Sequence, residues 1–337
     1  MAWHSSKIKN GYLIAVRFAC VAVAILFLQS FGKTVARDEP TQQLSVLIVV
    51  GASGESEYAD TFRASAMRWV VACQVNDNDV TLFDGTEKST DGESDQKKIL
   101  DWIDGHTARE RWIVLIGHGT SDRDANKFNL RGPDVTADEL SKSLAKHNES
   151  RWLIVNCGSS SGPFINALSG QNRVVVTATK SGAEQNYARF GEFLSQTITD
   201  PESDLDHDYS ISILEAFLAA SNRVAMFYTN EDRLPTEQAL IDDNADKKGT
   251  PAIFYRGSKA IKTPAEGLKP DGLLAARIQI TTLKKSTVLT PQQQAEIEQL
   301  ENQVASLYSE KKNLEETDYF QKLEALLMEI IRVREIE

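Results

Sequence analysis

The sequence predicts an α/β protein, a three-layer sandwich around a mostly parallel sheet with a helical hairpin at its C-terminal end. Three observations predict it. Short apolar runs that end in glycine or polar turns recur at 44–50, 80–83, 112–116, 152–155 and 173–178, the pattern of strands covered on both faces. Stretches with helical spacing at 58–73, 95–103 and 136–146 alternate with them, which calls for crossovers laying helices on both sides of one sheet. Beyond residue 290 the apolar residues follow a heptad-like seam, which reads as paired helices rather than more sheet.

The first segment carries Lys7, Lys9 and Arg17, an apolar core at 18–28 and then Thr34-Val35-Ala36. That is the layout of a secretory signal, 1–36, cleaved after Ala36, with a core short of the about 20 residues a spanning helix needs. The alternative is a retained anchor over 13–31 with Arg17 near the interface. Both place the remainder outside the cytoplasm, in the periplasm or beyond the cell. Without Cys20 only Cys73 and Cys157 remain, and two unpaired, mostly buried thiols are expected. The formal charge of −11 becomes −15 once the four cations ahead of Arg37 are discounted. A surface that acidic repels phosphate backbones and argues against a nucleic-acid partner.

The first strand runs into Gly51-Ala52-Ser53-Gly54, a tight turn without the Gly-Lys-Ser/Thr of a phosphate loop. The third, Trp112-Ile113-Val114-Leu115-Ile116, ends in Gly117-His118-Gly119. A polar loop follows, then a helix from 136 that opens with Thr136-x-x-Glu139, a capping box. The fourth strand ends in Asn156-Cys157-Gly158-Ser159-Ser160-Ser161-Gly162-Pro163-Phe164. Ligands bind beyond the carboxyl ends of parallel strands, so a histidine and a nucleophile-rich loop at two such ends share one crevice. A base beside thiol and hydroxyl groups suits nucleophilic catalysis. After the fifth strand, the polar stretch 179–187 is expected to wall that crevice.

The His-Gly after one strand, Gly132-Pro133-Asp134-Val135-Thr136, and the Ser-Gly-Pro-Phe turn, in that order, resemble the caspase and legumain superfamily of cysteine peptidases, legumain-type branch. The resemblance spans a domain at 44–255 and implies a caspase-like sandwich, with His118 as general base and the amide of Gly119 contributing to an oxyanion hole. One departure stands out. The family's Val-Glu-Ala-Cys laid on Val155-Asn156 places the nucleophile at Gly158, whereas Cys-x-Ser-Gly laid on Ser161-Gly162 places it at Ser159. Neither count lands on Cys157, and one residue of slip turns a side chain to the opposite face.

Helical spacing resumes at 190–198. Counted from Asp204, oxygen-bearing side chains then fall at Asp204, Asp206, Asp208, Ser212 and Glu215, and Ser210 is placed to offer its carbonyl. That is the ligand spacing of an EF-hand calcium loop, except that Tyr209 stands where the loop takes glycine. The alternative is an acidic cap on the helix that follows, expected at 211–228. A second acidic run, Asp242-Asp243-Asn244-Ala245-Asp246, lacks the closing carboxylate and is expected to be a solvated turn. A closing strand is expected at 251–255, and 256–289 reads as a linker or edge decoration. In 290–337, Thr290-Pro291-Gln292-Gln293 starts a helix. Ile297, Leu300, Val304, Leu307 and Leu314 form its seam, which restarts at Phe320, Leu323, Leu327 and Ile330. The phase break predicts a turn near 315–318, hence a hairpin that folds onto its own domain or serves self-association or a partner.

Two functions remain open. One is an exported endopeptidase using His118 with Cys157 or Ser159. The register mismatch favours the other, a degenerate peptidase fold that binds a peptide or protein or serves a structural role, with calcium as its one cofactor candidate.

Overall fold

The computed structural model describes residues 44–74, 78–85, 93–283 and 289–335; the expected signal segment, 1–36, lies outside them. Five strands, β1 (Leu44–Val50), β2 (Asp79–Phe83), β3 (Glu110–Ile116), β4 (Arg151–Asn156) and β5 (Arg173–Thr177), run parallel in the order β2-β1-β3-β4-β5. Two short antiparallel strands, β6 (Leu240–Asp242) and β7 (Thr250–Pro251), extend the β5 edge. Alternation along each strand sends residues to two cores. Val46, Ile48, Val114 and Val155 face helices α1 (Ser56–Cys73), α5 (Phe190–Thr197) and α6 (Ile213–Asn230), meeting Phe62, Trp69, Phe190 and Phe217. Leu47, Ile113, Ile154 and Val175 face α2 (Asp95–Gly105), α3 (Ala137–Leu144) and α4 (Pro163–Leu168), meeting Ile99, Leu140 and Phe164. Burying each such side chain contributes roughly 1.5–3 kcal/mol. Register is therefore strongly specified, because a slip by one residue would exchange the two faces.

This is the expected three-layer α/β sandwich. Several helix starts are written locally. Thr136 and Glu139 form the capping box of α3, and Ser212 and Glu215 form that of α6. Elsewhere the outcome differs from the sequence expectation. The expected closing strand at 251–255 is two-residue β7 followed by a 3₁₀ turn, Ala252–Phe254, and then a separate ribbon of Tyr255–Arg256 with Lys259–Ala260. The edge is carried instead by β6, too short to give a periodic signal. The expected solvated turn after it is also corrected, since its first carboxylate, on Asp242, is buried. The stretch 256–283 decorates the edge: Asp243 accepts amides of Gly272, Leu274 and Ala275, and Gln279–Thr282 pairs with Ser210–Ser212.

The tail forms α7 (Pro291–Ser309) and α8 (Glu316–Glu335). Gln293 near the start of α7 donates to the carbonyl of Val333 near the end of α8 (3.1 Å), so the pair is antiparallel. Ile297, Leu300 and Val333 are buried between the helices. Arg277 ties α7 to the domain through Glu298, Glu301 and Asn302. Among the described residues no helix is long and apolar enough to cross a membrane.

Candidate functional site

β3 and β4 are adjacent and parallel, pairing Glu110 with Arg151 through Leu115 with Asn156. The His-Gly turn and the serine loop therefore leave the sheet side by side at its carboxyl edge. They touch through backbone: a β-carbon on Gly119 would lie 2.4 Å from the Ser159 carbonyl oxygen, so only glycine permits this approach.

His118 is half-buried, and its Nε2 donates to the carbonyl of Ser53 (3.2 Å). The ring is enclosed by Tyr58 at 5.1 Å, Phe62 at 5.2 Å and Tyr187 at 6.2 Å between centroids, all near edge-to-face. Burial among apolar rings pushes its pKa below the ordinary histidine value, only partly offset by the Ser53 carbonyl. The imidazole is consequently neutral near pH 7. Among the described residues, neither Cys157 nor Ser159 is hydrogen-bonded to it.

Cys157 continues the strand, its amide donating to the carbonyl of Leu115 (2.9 Å). Its side chain faces the core beneath α1, α5 and α6. There it abuts Gly191 so closely that a β-carbon on that glycine would stand 2.9 Å from the sulfur. Desolvation pushes the thiol up to about 12. At that value almost no thiolate exists near neutrality, and the thiolate is the nucleophile. Cys73 is likewise unpaired and buried.

The next position points the other way. A β-carbon on Gly158 would lie 3.2 Å from both the His118 carbonyl carbon and the Gly119 nitrogen. Position 158 therefore faces the His-Gly turn, and it bears no side chain.

Ser159 is held by Gly119. Its hydroxyl accepts from the Gly119 amide (3.3 Å) and donates to the Gly119 carbonyl (3.1 Å). The amide expected in an oxyanion hole is thus engaged by a side chain of the neighbouring loop. The amide of Gly158 donates to Asn156 Oδ1 (2.9 Å), and that of Ser160 donates to the Glu184 carbonyl (2.8 Å).

The stretch 179–187 covers this loop. Thr179 Oγ1 accepts from the Gly162 amide (3.0 Å) and meets the Ser161 hydroxyl (3.2 Å). Residues 157 to 162 are all buried. The segment read as a wall is packed onto the loop as a covering.

In the acidic stretch, carboxylate oxygens of Asp204, Asp206 and Asp208 lie within 4.8 Å of one another. Tyr209 has φ +68°, the left-handed conformation that an EF-hand takes up with glycine. Mutual repulsion adds to burial in raising the pKa of Asp206. Ser212 and Glu215 are occupied otherwise. Glu215 accepts from the amides of Leu205, Asp206 and Ser212 and from the Ser212 hydroxyl. Ser210 lies in its short strand, its hydroxyl donating to Asp208 Oδ1 (2.6 Å).

Sequence reasoning missed Tyr58, Phe62 and Gly191, and had Tyr187 only as the last residue of the stretch expected to wall the crevice. The i, i+4 pair on α1 was legible as one helix face. That this face closes over His118 depends on how α1 packs across the sheet.

Fold and site together define a three-layer α/β protein with a His-Gly turn and a covered serine-rich loop at the carboxyl edge of a mostly parallel sheet. No family model matches the chain, and no curated protein matches it. Among solved structures it is similar to the Drosophila initiator caspase Dronc, at 15% identity and a TM-score of 0.39 over 61% of this chain and 81% of that one. Likeness at that level bears on neither activity nor site.

Proposed function

We propose that the chain is an exported caspase/legumain-like peptidase-fold protein whose catalytic dyad is not assembled, acting as a peptide- or protein-binding or structural domain. The observation that carries this reading is the register at the end of β4. Position 158 faces the His-Gly turn and is glycine, while the thiol one residue earlier is wedged against Gly191 in the core. Nucleophilic catalysis needs base and nucleophile within hydrogen-bond reach. His118 instead spends a ring nitrogen on Ser53.

The hairpin supports an interaction role. Phe320, Leu327, Met328 and Ile331 are exposed along α8, whereas Val333 is buried against α7. A second copy or a partner protein would cover that stripe. Calcium at Asp204, Asp206 and Asp208 would tie the start of α6 to the chain after α5, a stabilising role rather than a chemical one.

The test is a peptide-library digest with and without calcium, run beside His118→Ala, Cys157→Ala and Ser159→Ala. No turnover above background is expected. Robust cleavage abolished by His118→Ala together with Cys157→Ala or Ser159→Ala would establish the active endopeptidase instead.

A further inference from the structure

A second group of carboxylates lies away from the His118 edge of the sheet, where β6 ends. β6 runs against β5, with Leu240 opposite Thr177 and Asp242 opposite Val175. The chain beyond Asp242 therefore heads away from the His118 edge. It turns through 243–249, with Ala245 and Lys247 at positive φ, and returns as β7.

The carboxylates there differ sharply in how they are satisfied. Asp243 accepts three amides of the stretch 272–275. Asp271 accepts the Asp243 amide and the Thr250 hydroxyl. Asp242 is only 1% exposed, and neither of its carboxylate oxygens makes a well-formed hydrogen bond, the Ser169 hydroxyl and the Ala245 amide being the donors nearest to it. Asp246 gives Oδ1 to the Lys248 amide, and its buried Oδ2 likewise has no well-formed hydrogen bond. Three carboxylate oxygens are thus removed from water without a well-formed hydrogen bond in its place, a costly arrangement for a charged group.

Among the described residues no lysine, arginine or histidine nitrogen forms an ion pair with either side chain. Arg173, the buried cation of β5, gives its guanidinium to the Leu168 carbonyl and to Asn148. Burial, with added negative potential from Asp246 and Asp243, raises the Asp242 carboxyl to about 6, against the opposing pull of the Ser169 hydroxyl and the Ala245 amide. Ser169, which caps the carboxyl end of α4, has its hydroxyl beside Asp242 and accepts the Lys247 amide (3.1 Å). The surroundings offer oxygen atoms and helix-end partial negative charge. Neighbours of that kind suit a hard cation.

We propose that Asp242 and Asp246, with the Ser169 hydroxyl beside them, form a binding site for a hard divalent cation of the calcium class that pins the β6–β7 edge of the sheet. Oxygen-only donors and a carboxylate with no well-formed hydrogen bond on either oxygen match calcium coordination, with backbone carbonyls and water completing the shell. The site is separate from the Asp204–Asp206–Asp208 cluster, whose carboxylates are largely supplied with backbone donors. It does not depend on whether the domain is a peptidase.

Calcium binding to the full chain by equilibrium dialysis, carried out in an Asp206→Asn background, isolates this site. One bound ion per chain is expected, lost on adding Asp242→Asn and weakened about tenfold or more on adding Asp246→Asn, within the range that altered ligand shells produce. Retention of that ion in the Asp242→Asn background, or no binding at about 10 mM calcium, well above the weakest extracellular sites, overturns the proposal. Hydrogen exchange supplies a readout on the unaltered protein. Calcium should slow the amides of 243–249 by about tenfold, as a ligand of the native state does; unchanged exchange there overturns the proposal as well.

Discussion

The missing β-carbon of Gly158 points at the carbonyl carbon of His118, 3.2 Å away, while the adjacent Cys157 side chain points into the core. Strand alternation makes these alternatives exclusive. A chain that places its thiol at 157 cannot also present it to the His-Gly turn without shifting β4 by one residue. Such a shift would exchange Leu153 and Val155 with Trp152 and Ile154 between two fully formed cores.

Thiol labelling reads this relationship directly. With its pKa near 12 against the ordinary 9.0, Cys157 holds roughly a thousandth of the thiolate of a free cysteine at neutral pH. Native protein should resist iodoacetamide and react only after denaturation. Rapid native labelling of wild-type Cys157 would show that it faces solvent and the histidine after all.

Gly191→Ala should destabilise the domain. The added methyl would sit 2.4 Å from the Cys157 β-carbon, an overlap that core rearrangement relieves at a cost of about 1–3 kcal/mol. Urea denaturation followed by the core tryptophans measures it. An unchanged midpoint would mean that α5 is free to lift away from the end of β4.

His118 sets a pH dependence. Its folded pKa lies below the unfolded value of 6.5 because burial disfavours the charged ring. Below pH 6.5 the unfolded chain takes up a proton that the folded chain resists, so the contribution is intact above that pH and is lost as pH falls. Wild-type stability should drop more than that of His118→Gln between pH 7 and 5. Parallel curves for the two proteins would argue against the aromatic enclosure.

Calcium at Asp204, Asp206 and Asp208 should raise the melting midpoint. At about ten times Kd the gain is roughly 1.4 kcal/mol. Asp206→Asn should lose that part of the response. A wild-type midpoint that is the same in chelator and in millimolar calcium would reduce the loop to a helix cap.

Arg277→Ala should loosen the hairpin more than the sheet. The guanidinium is mostly buried against Glu298 and Glu301. Removing one partner of a buried charge cluster costs about 3–5 kcal/mol, and less where water screens it, as it partly does here. Hydrogen exchange should accelerate across 291–335 while β1 and β3 stay protected. Uniform acceleration would show the hairpin to be integral to the core.

The sheet was legible because its evidence is local. Runs such as 112–116 are apolar throughout, and only strands covered on both sides need that, so the three-layer sandwich followed from pattern and glycine punctuation. Capping boxes at Thr136 and Thr290 marked helix starts in the same way, since donor and acceptor are three residues apart. Juxtaposition of the His-Gly turn with the serine loop also followed, because both end strands of one parallel sheet. β6 and α4 escaped notice: three and six residues hold too few turns or alternations to give a period, and long-range packing fixes them.

What tertiary structure alone decided is where each polar group spends its bonding capacity. The sequence offers His118, Cys157, Ser159 and Glu215 as reactive or ligating groups. Packing commits them to the Ser53 carbonyl, the Gly191 contact, the Gly119 amide and the start of α6. Asp242 went the opposite way, from an expected solvated turn to a buried carboxylate with no well-formed hydrogen bond. Strand alternation states which face a residue takes relative to its neighbours. Only the assembled layers determine whether that face meets water, core or another polar atom, because desolvation depends on every segment that closes over it.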